Sequence, residues 1–370
     1  MKLYIIAGEA SGDLHGSNLI KGLKDLVPAV NIRAWGGDKM QRQGAVIVKH
    51  IRDLAFMGFK EVVANMPAIL ANFRQCKKDI ENFAPDAVVF IDYPGFNLRM
   101  AKWAKKKGFK TIYYISPQLW AWKESRIHQV KTYVDEMLVI LPFENEFYAR
   151  HHYRVQYVGH PLLDVIKDIE PDSDFKGSLS PQHWPVIALL PGSRSQEIKR
   201  MLPVMLSIVK DFPDHVFVVA GAPAQEKVYY DEFLNGYPDV KLVFENTYKL
   251  LSIAEAAVVA SGTATLEAAL FKVPEVVCYK GAKLSYAIGR QLVKVKFISL
   301  VNLIMEKPVV KELIQHECNK EALTAELKKL IHDKGYRHKM LEGFDELSTL
   351  LGEGGASARS AKIVVSVVNS

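Results

Sequence analysis

Cysteine is scarce. Cys76, Cys278 and Cys318 are the only three in 370 residues and lie far apart, with no CxxC or Cys/His ligand spacing. That excludes a disulfide framework and a zinc module, and reads as buried or free thiols in a reducing compartment. Long apolar runs are missing too. Uncharged stretches such as 111–122 and 256–266 are short of the ~18 apolar residues that span a bilayer. The opening run Leu3–Ala7 stops at Gly8-Glu9, unlike the apolar core of a signal peptide. The chain is expected to be cytosolic, or bound to a membrane surface from that side. No Walker A loop, HExxH or GxSxG occurs, and glycines at 8, 12 and 16 do not make the dinucleotide pattern GxGxxG. Asp172-Ser173-Asp174 has the DxD form of a metal-binding transferase motif but sits in a polar stretch off any strand end. His151-His152 has no partner at ligand spacing. No metal is expected.

What is present is an ordinary globular composition, 49% hydrophobic and 24% charged, which rules out a disordered, collagen-like or coiled-coil chain. Basic residues exceed acidic by 48 − 41 = 7. The excess is uneven: residues 1–170 hold 24 basic and 18 acidic side chains, the rest 24 and 23. The two halves are expected to face different partners. Short apolar runs at Leu3–Ala7, Ala87–Ile91, 111–115, 137–141 and 155–158 alternate with helix-like stretches, and a second series starts at Val186–Leu190. That rhythm predicts βαβ units and parallel sheets, an α/β fold. The polar segment from Lys167 to Pro185 reads as a linker. The expected organisation is a domain over 1–170, a second over 185–345 and a helical tail over 346–370. In open parallel sheets, ligands bind beyond the carboxyl ends of the strands, so the loops there are the candidates for chemistry.

Gly8-Glu9-Ala10-Ser11-Gly12-Asp13 follows the first strand and opens a helix. Glycines let the backbone approach a ligand, and a helix N-terminus offers N–H groups to an anion or sugar hydroxyl. The plain alternative is a tight turn with Ser11 or Asp13 as N-cap. Asp92 follows Ala87–Ile91 directly, where a carboxylate can take a proton from a nucleophilic hydroxyl; a turn or cap Asp is the alternative. Ser116–Trp122 sets two tryptophans after a strand, as a cleft wall or a packing plug. Gly192-Ser193-Arg194 suits a diphosphate, through backbone N–H groups, a hydroxyl and a guanidinium, or is a surface turn. Ser261-Gly262-Thr263-Ala264 is a second small-residue turn opening a helix. Glu267 beyond it could accept two hydrogen bonds from a ribose diol, or is a solvated carboxylate. Asn302 is an amide in an apolar stretch, a ligand contact or a buried, satisfied Asn. His160 could face a cleft.

Apolar residues at Val62, Val63, Met66, Ile69, Leu70, Phe73, Ile80 and Phe83 have helical spacing. Met57-Gly58-Phe59 precede them, Pro67 marks a break, and Arg74, Lys77, Lys78 and the lysines around Trp103 lie near. Apolar faces rimmed by basic residues suit an anionic membrane surface; a core-facing helix beside a solvated basic one is the alternative. A nucleic-acid patch lacks any recognisable module.

In their order along the chain, GEASGD, IDYPGFN, YYISPQLWAWKESR, VGHPLLD, LLPGSRSQEIKRMLP, ASGTATLEAAL and SLVNLI resemble the lipid-A-disaccharide synthase family, over about Leu3 to Cys318. The resemblance implies the GT-B fold: two Rossmann-like domains whose parallel sheets face an interdomain cleft, with a C-terminal helix returning to the first. It implies transfer of 2,3-diacylglucosamine from its UDP derivative to 2,3-diacylglucosamine 1-phosphate, with inversion, giving a β-1,6-linked lipid A precursor and UDP. It implies work at the cytoplasmic face of the inner membrane of a Gram-negative bacterium, as a peripheral protein with no cofactor and no nucleic-acid partner; a homodimer is compatible. By the resemblance Asp92 matches the general base and Glu9 and Ser11 the first-domain active-site loop, which makes these three the catalytic candidates and Gly8 and Gly12 of the same loop substrate-binding candidates. Ser193, Arg194, Ser261, Gly262, Thr263, Ala264, Glu267 and Asn302 fall on the nucleotide side. Gly95 departs from members that carry Asp there. The rivals are a UDP-GlcNAc 2-epimerase or another UDP-sugar transferase, and a nucleotide-binding regulator without turnover.

Overall fold

The structure, a computed structural model, describes residues 1–54, 66–122, 124–167, 169–180, 182–223, 225–282 and 295–370. They form two compact units, one of Met1–Asp164 with Glu353–Ser370, the other of Val165–Gly352.

The first unit is built on a parallel seven-stranded sheet, β1 (Lys2–Ala7), β2 (Asn31–Gly36), β3 (Val46–His50), β4 (Ala87–Ile91), β5 (Lys110–Tyr114), β6 (Glu136–Val139) and β7 (Gln156–Tyr157), in the order β3-β2-β1-β4-β5-β6-β7. β4 is buried throughout and β1 beyond its first residue, because helices cover both faces. Tyr4, Ile6, Val88 and Phe90 share one core with Cys76 and Ile80 of the helix Met66–Phe83 and with Met100 and Ala104 of the helix Pro94–Lys106. The apolar face expected at a membrane therefore lies partly in this core: Phe73 and Phe83 pack against it, and Phe73 stacks on Phe96 with centroids 4.3 Å apart. Leu70 is exposed. Met57, Gly58, Phe59, Val62 and Val63 lie outside the described residues.

The second unit carries a parallel six-stranded sheet, β8 (Val186–Leu190), β9 (Val216–Gly221), β10 (Lys241–Phe244), β11 (Ala254–Ala260), β12 (Glu275–Tyr279) and β13 (Lys311–Ile314), ordered β10-β9-β8-β11-β12-β13. The stretch read as a linker is more structured than its composition suggests. It contains the helix Ser173–Leu179, whose N-cap Asp172 accepts from Phe175 N at 2.9 Å and pairs with Lys249 at 2.9 Å. The first carboxylate of the DxD sequence is thus a helix cap. The C-terminal helical region divides between the units. Lys334–Leu351 belongs to the second; Ala356–Asn369 packs on the helix Ala10–Leu26 of the first.

Candidate active site

In both sheets the strand order reverses direction at one place, between β1 and β4 in the first and between β8 and β11 in the second. At such a switch point the connections leave on opposite faces of the sheet and open a crevice at the carboxyl end. The turns singled out in the sequence fall on these two positions. Ala7 pairs with Ile91 and Leu190 with Val259. So Gly8–Gly12 stands beside Asp92, and Gly192–Arg194 beside Ser261–Ala264.

In the first unit Glu9 is the N-cap of the helix Ala10–Leu26, with extended backbone. Ser11 and Asp13 therefore lie within its first turns and neither caps it. Buried Asp13 acts elsewhere. Its carboxylate accepts from Gly37 N at 2.7 Å and from Lys39 N and Met40 N at 3.1 Å, tying down the turn after β2. Gly8 is required by its neighbour. A Cβ there would lie 2.4 Å from two atoms of the Tyr93 ring. Burial, and after it the charge of Glu9, pushes the Tyr93 phenol upward.

Asp92 and Tyr93 are both left-handed, with φ of 44° and 50°. Each such residue stores about 1–3 kcal/mol of strain, held only where surroundings over-determine it. Here three groups do so. Asp92 N donates to Tyr114 O at 3.1 Å, while Asp92 O accepts from Asn97 Nδ2 at 2.8 Å and from the Tyr113 hydroxyl at 2.6 Å. Asn97 also reaches Ile6 O and Ile91 O, at 3.3 and 3.2 Å, and so joins the ends of β1 and β4. Pro94 then starts the next helix with its φ already set. Sequence reasoning misses Asn97 and Tyr113; an Asn three residues past the turn Pro is the available signal.

The tryptophan loop after β5 is the packing plug of the two readings, as far as Trp120 shows. Its ring meets Phe143 edge-on at 4.9 Å, and its Nε1 donates to Glu144 Oε1 at 3.3 Å. Buried Glu144 also accepts from Ile140 N and Leu141 N, at 3.2 and 3.0 Å, yet burial outweighs these donors and pushes its carboxyl up to about 7. His160 is buried. Its Nδ1 accepts from Leu162 N at 3.2 Å, and burial, helped by His15, pushes it down to about 3.

In the second unit Arg194 is the N-cap of the helix Ser195–Leu206, and its guanidinium pairs with Glu197 at 3.3 Å. Ser193 and Arg194 are exposed, so the turn is open to a ligand. Gly262 is the N-cap and Thr263 the first residue of the helix Thr263–Leu270, also exposed. Ser261 Oγ donates to Ile298 O at 2.9 Å. Glu267, one turn inside, is pushed up to about 7 by burial, with the Tyr248 hydroxyl donating to it at 3.4 Å.

Asn302 is fully satisfied. Its Nδ2 donates to Val310 O and Glu312 Oε1, at 2.9 and 3.0 Å, and its Oδ1 accepts from Val309 N and Val310 N, at 2.8 and 2.9 Å. An amide has four bonding capacities, and all are used within the unit. Glu312, unmarked in the sequence, gathers Ile298 N, Ser299 N and Ser299 Oγ as well. The segment 298–302 is thereby fixed beside the Ser261 turn. Among the described residues no cluster of His, Cys, Asp or Glu suits a metal ion, and no helix is long and apolar enough to cross a membrane.

Solved structures with the same architecture share little sequence. The UDP-GlcNAc 2-epimerase of Neisseria meningitidis, bound to UDP-GlcNAc, matches with a TM-score of 0.69 at 14% identity, covering 99% of this chain and 100% of its own. The glycotransferase of kitacinnamycin matches at 0.66 and 14%, covering 99% of each. At this identity the likeness shows the fold: two Rossmann-like domains of GT-B type. Sequence relatives are much nearer. The lipid-A-disaccharide synthase of Coxiella burnetii (strain Dugway 5J108-111) is 38% identical over 100% of this chain and 99% of its own length. That of Syntrophus aciditrophicus (strain SB) is 38% identical over 99% and 97%. The model of the family described as lipid-A-disaccharide synthetase matches residues 3–363. With the fold, the two switch-point turns and these relatives together, the chain belongs to the lipid-A-disaccharide synthase family, glycosyltransferases of lipid A biosynthesis.

Proposed function

We propose that the second unit holds the UDP part of UDP-2,3-diacylglucosamine, and that the first serves the 6-hydroxyl of 2,3-diacylglucosamine 1-phosphate. The observation that carries this is the placing of both sets of residues on topological switch points. The exposed N-termini at Arg194 and Gly262–Ala264 offer N–H groups and a guanidinium to a diphosphate. The neighbour structures bound to UDP-GlcNAc and to UDP make a nucleotide-sugar donor the natural ligand of this fold. Ser193, Ser261 and Thr263 add hydroxyls, and Glu267 is the acceptor for a ribose diol. Asn302 acts indirectly, by fixing the segment beside the Ser261 turn.

In this reading Asp92 removes the proton as the acceptor oxygen attacks the anomeric carbon, on the face opposite UDP. Such in-line displacement inverts α to β. Glu9 and Ser11, across the crevice from Asp92 at the end of β1, orient the acceptor, and Gly8 and Gly12 shape the turn that carries them. Preorganised donors around the leaving diphosphate are worth about 2.7–4 kcal/mol each where they resemble oxyanion-hole donors. The test is incubation with both diacylated sugars, with mass spectrometry of the lipid and measurement of released UDP. A β-1,6 disaccharide 1-phosphate and equimolar UDP are expected. UDP-ManNAc formation from UDP-GlcNAc, or UDP release without a disaccharide, would overturn the assignment.

The acyl chains give the first unit's basic surface a use, docking from the cytoplasmic side on the anionic inner membrane as a peripheral protein. Leu70 is exposed, Lys77 lies over Trp103 at 5.8 Å, and Lys102 over Tyr133 at 5.7 Å. Sedimentation with phosphatidylglycerol vesicles at low salt should carry the protein down, and salt should release it. A protein left in the supernatant under both conditions refutes the docking.

A further inference from the structure

The chain passes between the two units twice, after Asp164 and after Gly352. On the first unit's side both passages are tied to the same few atoms. The Asp164 carboxylate accepts from Gly355 N and from Ser357 N, the latter at 2.9 Å, across more than 190 residues of sequence. It thus binds the first turn of the returning helix Ala356–Asn369. Arg359, in that helix, donates from Nε to Val158 O at 2.8 Å and from its two terminal nitrogens to Gly354 O and Glu353 O, at 2.9 and 3.3 Å. Glycine is needed where these groups meet. A Cβ on Gly159, at φ 82°, would lie 2.5 Å from Arg359 Nη2, and one on Gly354 would lie 3.1 Å from Asp164 Oδ1.

We propose that Asp164 and Arg359 are positioning residues for the transfer reaction. They fasten the outgoing and returning passages into one post. Both passages leave the first unit at this post, so loosening it frees the ends of both at once. In the reading above neither residue contacts substrate. The inference rests on the two-unit transfer reading above.

The full-length protein is assayed for disaccharide formation, with UDP affinity measured by calorimetry and stability by thermal unfolding. Asp164→Asn should turn one of the two acceptor oxygens into a donor, and Arg359→Gln should release three carbonyls. Each is expected to lower kcat about 10–100-fold, the loss typical of a small misplacement remote from the chemistry. UDP affinity should stay within about twofold. Asp164→Glu, which keeps the charge, and Arg359→Lys, which keeps one donor, should recover part of kcat and serve if the first pair fails to fold. Val364→Ala is the control: it loosens the same helix at a fully buried side chain without touching the post. It should lower the melting temperature and leave kcat near wild type. Unchanged kcat in the Asp164 and Arg359 variants overturns the proposal, as does an equal kcat loss in Val364→Ala at matched stability. Failure of the wild type to form disaccharide would overturn the transfer reading itself, and this inference with it.

Discussion

Gly8→Ala tests the geometry of the first unit most directly. The added methyl would sit 2.4, 2.4 and 2.6 Å from three atoms of the Tyr93 ring, where ordinary contacts begin near 3.4 Å. Something must move by about 1 Å. The ring stacks on Phe96 at 5.8 Å, and its backbone continues into Asp92. The displacement therefore reaches the proposed base. Overpacking of this kind costs about 1–3 kcal/mol of stability, and a shift of about 1 Å in a reacting group can cost about 100-fold in kcat. At ~1.36 kcal/mol per decade, that is about 2.7 kcal/mol of barrier. UDP affinity, which the proposal places in the second unit, should not change. The decisive comparison is a double-mutant cycle with Tyr93→Gly, which removes all three clashing atoms and suits the left-handed backbone. In that background Gly8→Ala should be nearly silent, leaving a coupling of about 2–3 kcal/mol in kcat. Additive effects, or wild-type kcat in Gly8→Ala alone, would refute the reasoning.

Asp92→Asn should lower kcat by about 100- to 10,000-fold with UDP affinity intact, as for loss of a general base; disaccharide formation and calorimetry check both halves. Arg194→Ala should weaken UDP binding by about 10- to 150-fold, the equivalent of one charged hydrogen bond at ~1.5–3 kcal/mol, and Arg194→Lys should recover little because the planar fork is lost. Glu144 predicts a pH effect. Its carboxyl ionises near 4.5 unfolded and about 7 folded. Between these values the folded state binds the extra proton, so this group's contribution is fully present below 4.5 and lost as pH rises toward 7. Glu144→Gln should make the slope of unfolding free energy against pH less negative there, by up to ~1.4 kcal/mol per pH unit. Denaturant titrations at pH 5, 6 and 7 measure it, and an unchanged slope counts against the buried-acid assignment.

The sheets were legible because both are covered on two faces, which turns central strands such as Ala87–Ile91 and Val186–Leu190 into unbroken apolar runs. Edge strands lack that signature. Val46–His50 ends in Lys and His and is only half-buried, and Lys311–Ile314 is four residues long with two charges. The candidate turns were legible for the same reason as the strands they follow. What could not be read was long-range polar bonding. Asp13 reads as a helix cap in sequence, and Asp164 and Glu312 as ordinary surface acids, but each instead collects backbone N–H groups from a separate segment. Asn302 shows the converse, because only its four partners reveal that the amide is already spent. Asp172 lay in a stretch whose prolines and polarity hide a two-turn helix.

The paired left-handed residues at 92 and 93 have an evolutionary consequence. Glycine adopts that backbone more easily than aspartate or tyrosine. Selection for heat tolerance alone would therefore drift toward Asp92→Gly, gaining robustness while removing the proposed base. A thermostabilising library for this protein should hold position 92 fixed, and a homologue found with glycine there would be a candidate for a retired enzyme that kept its architecture.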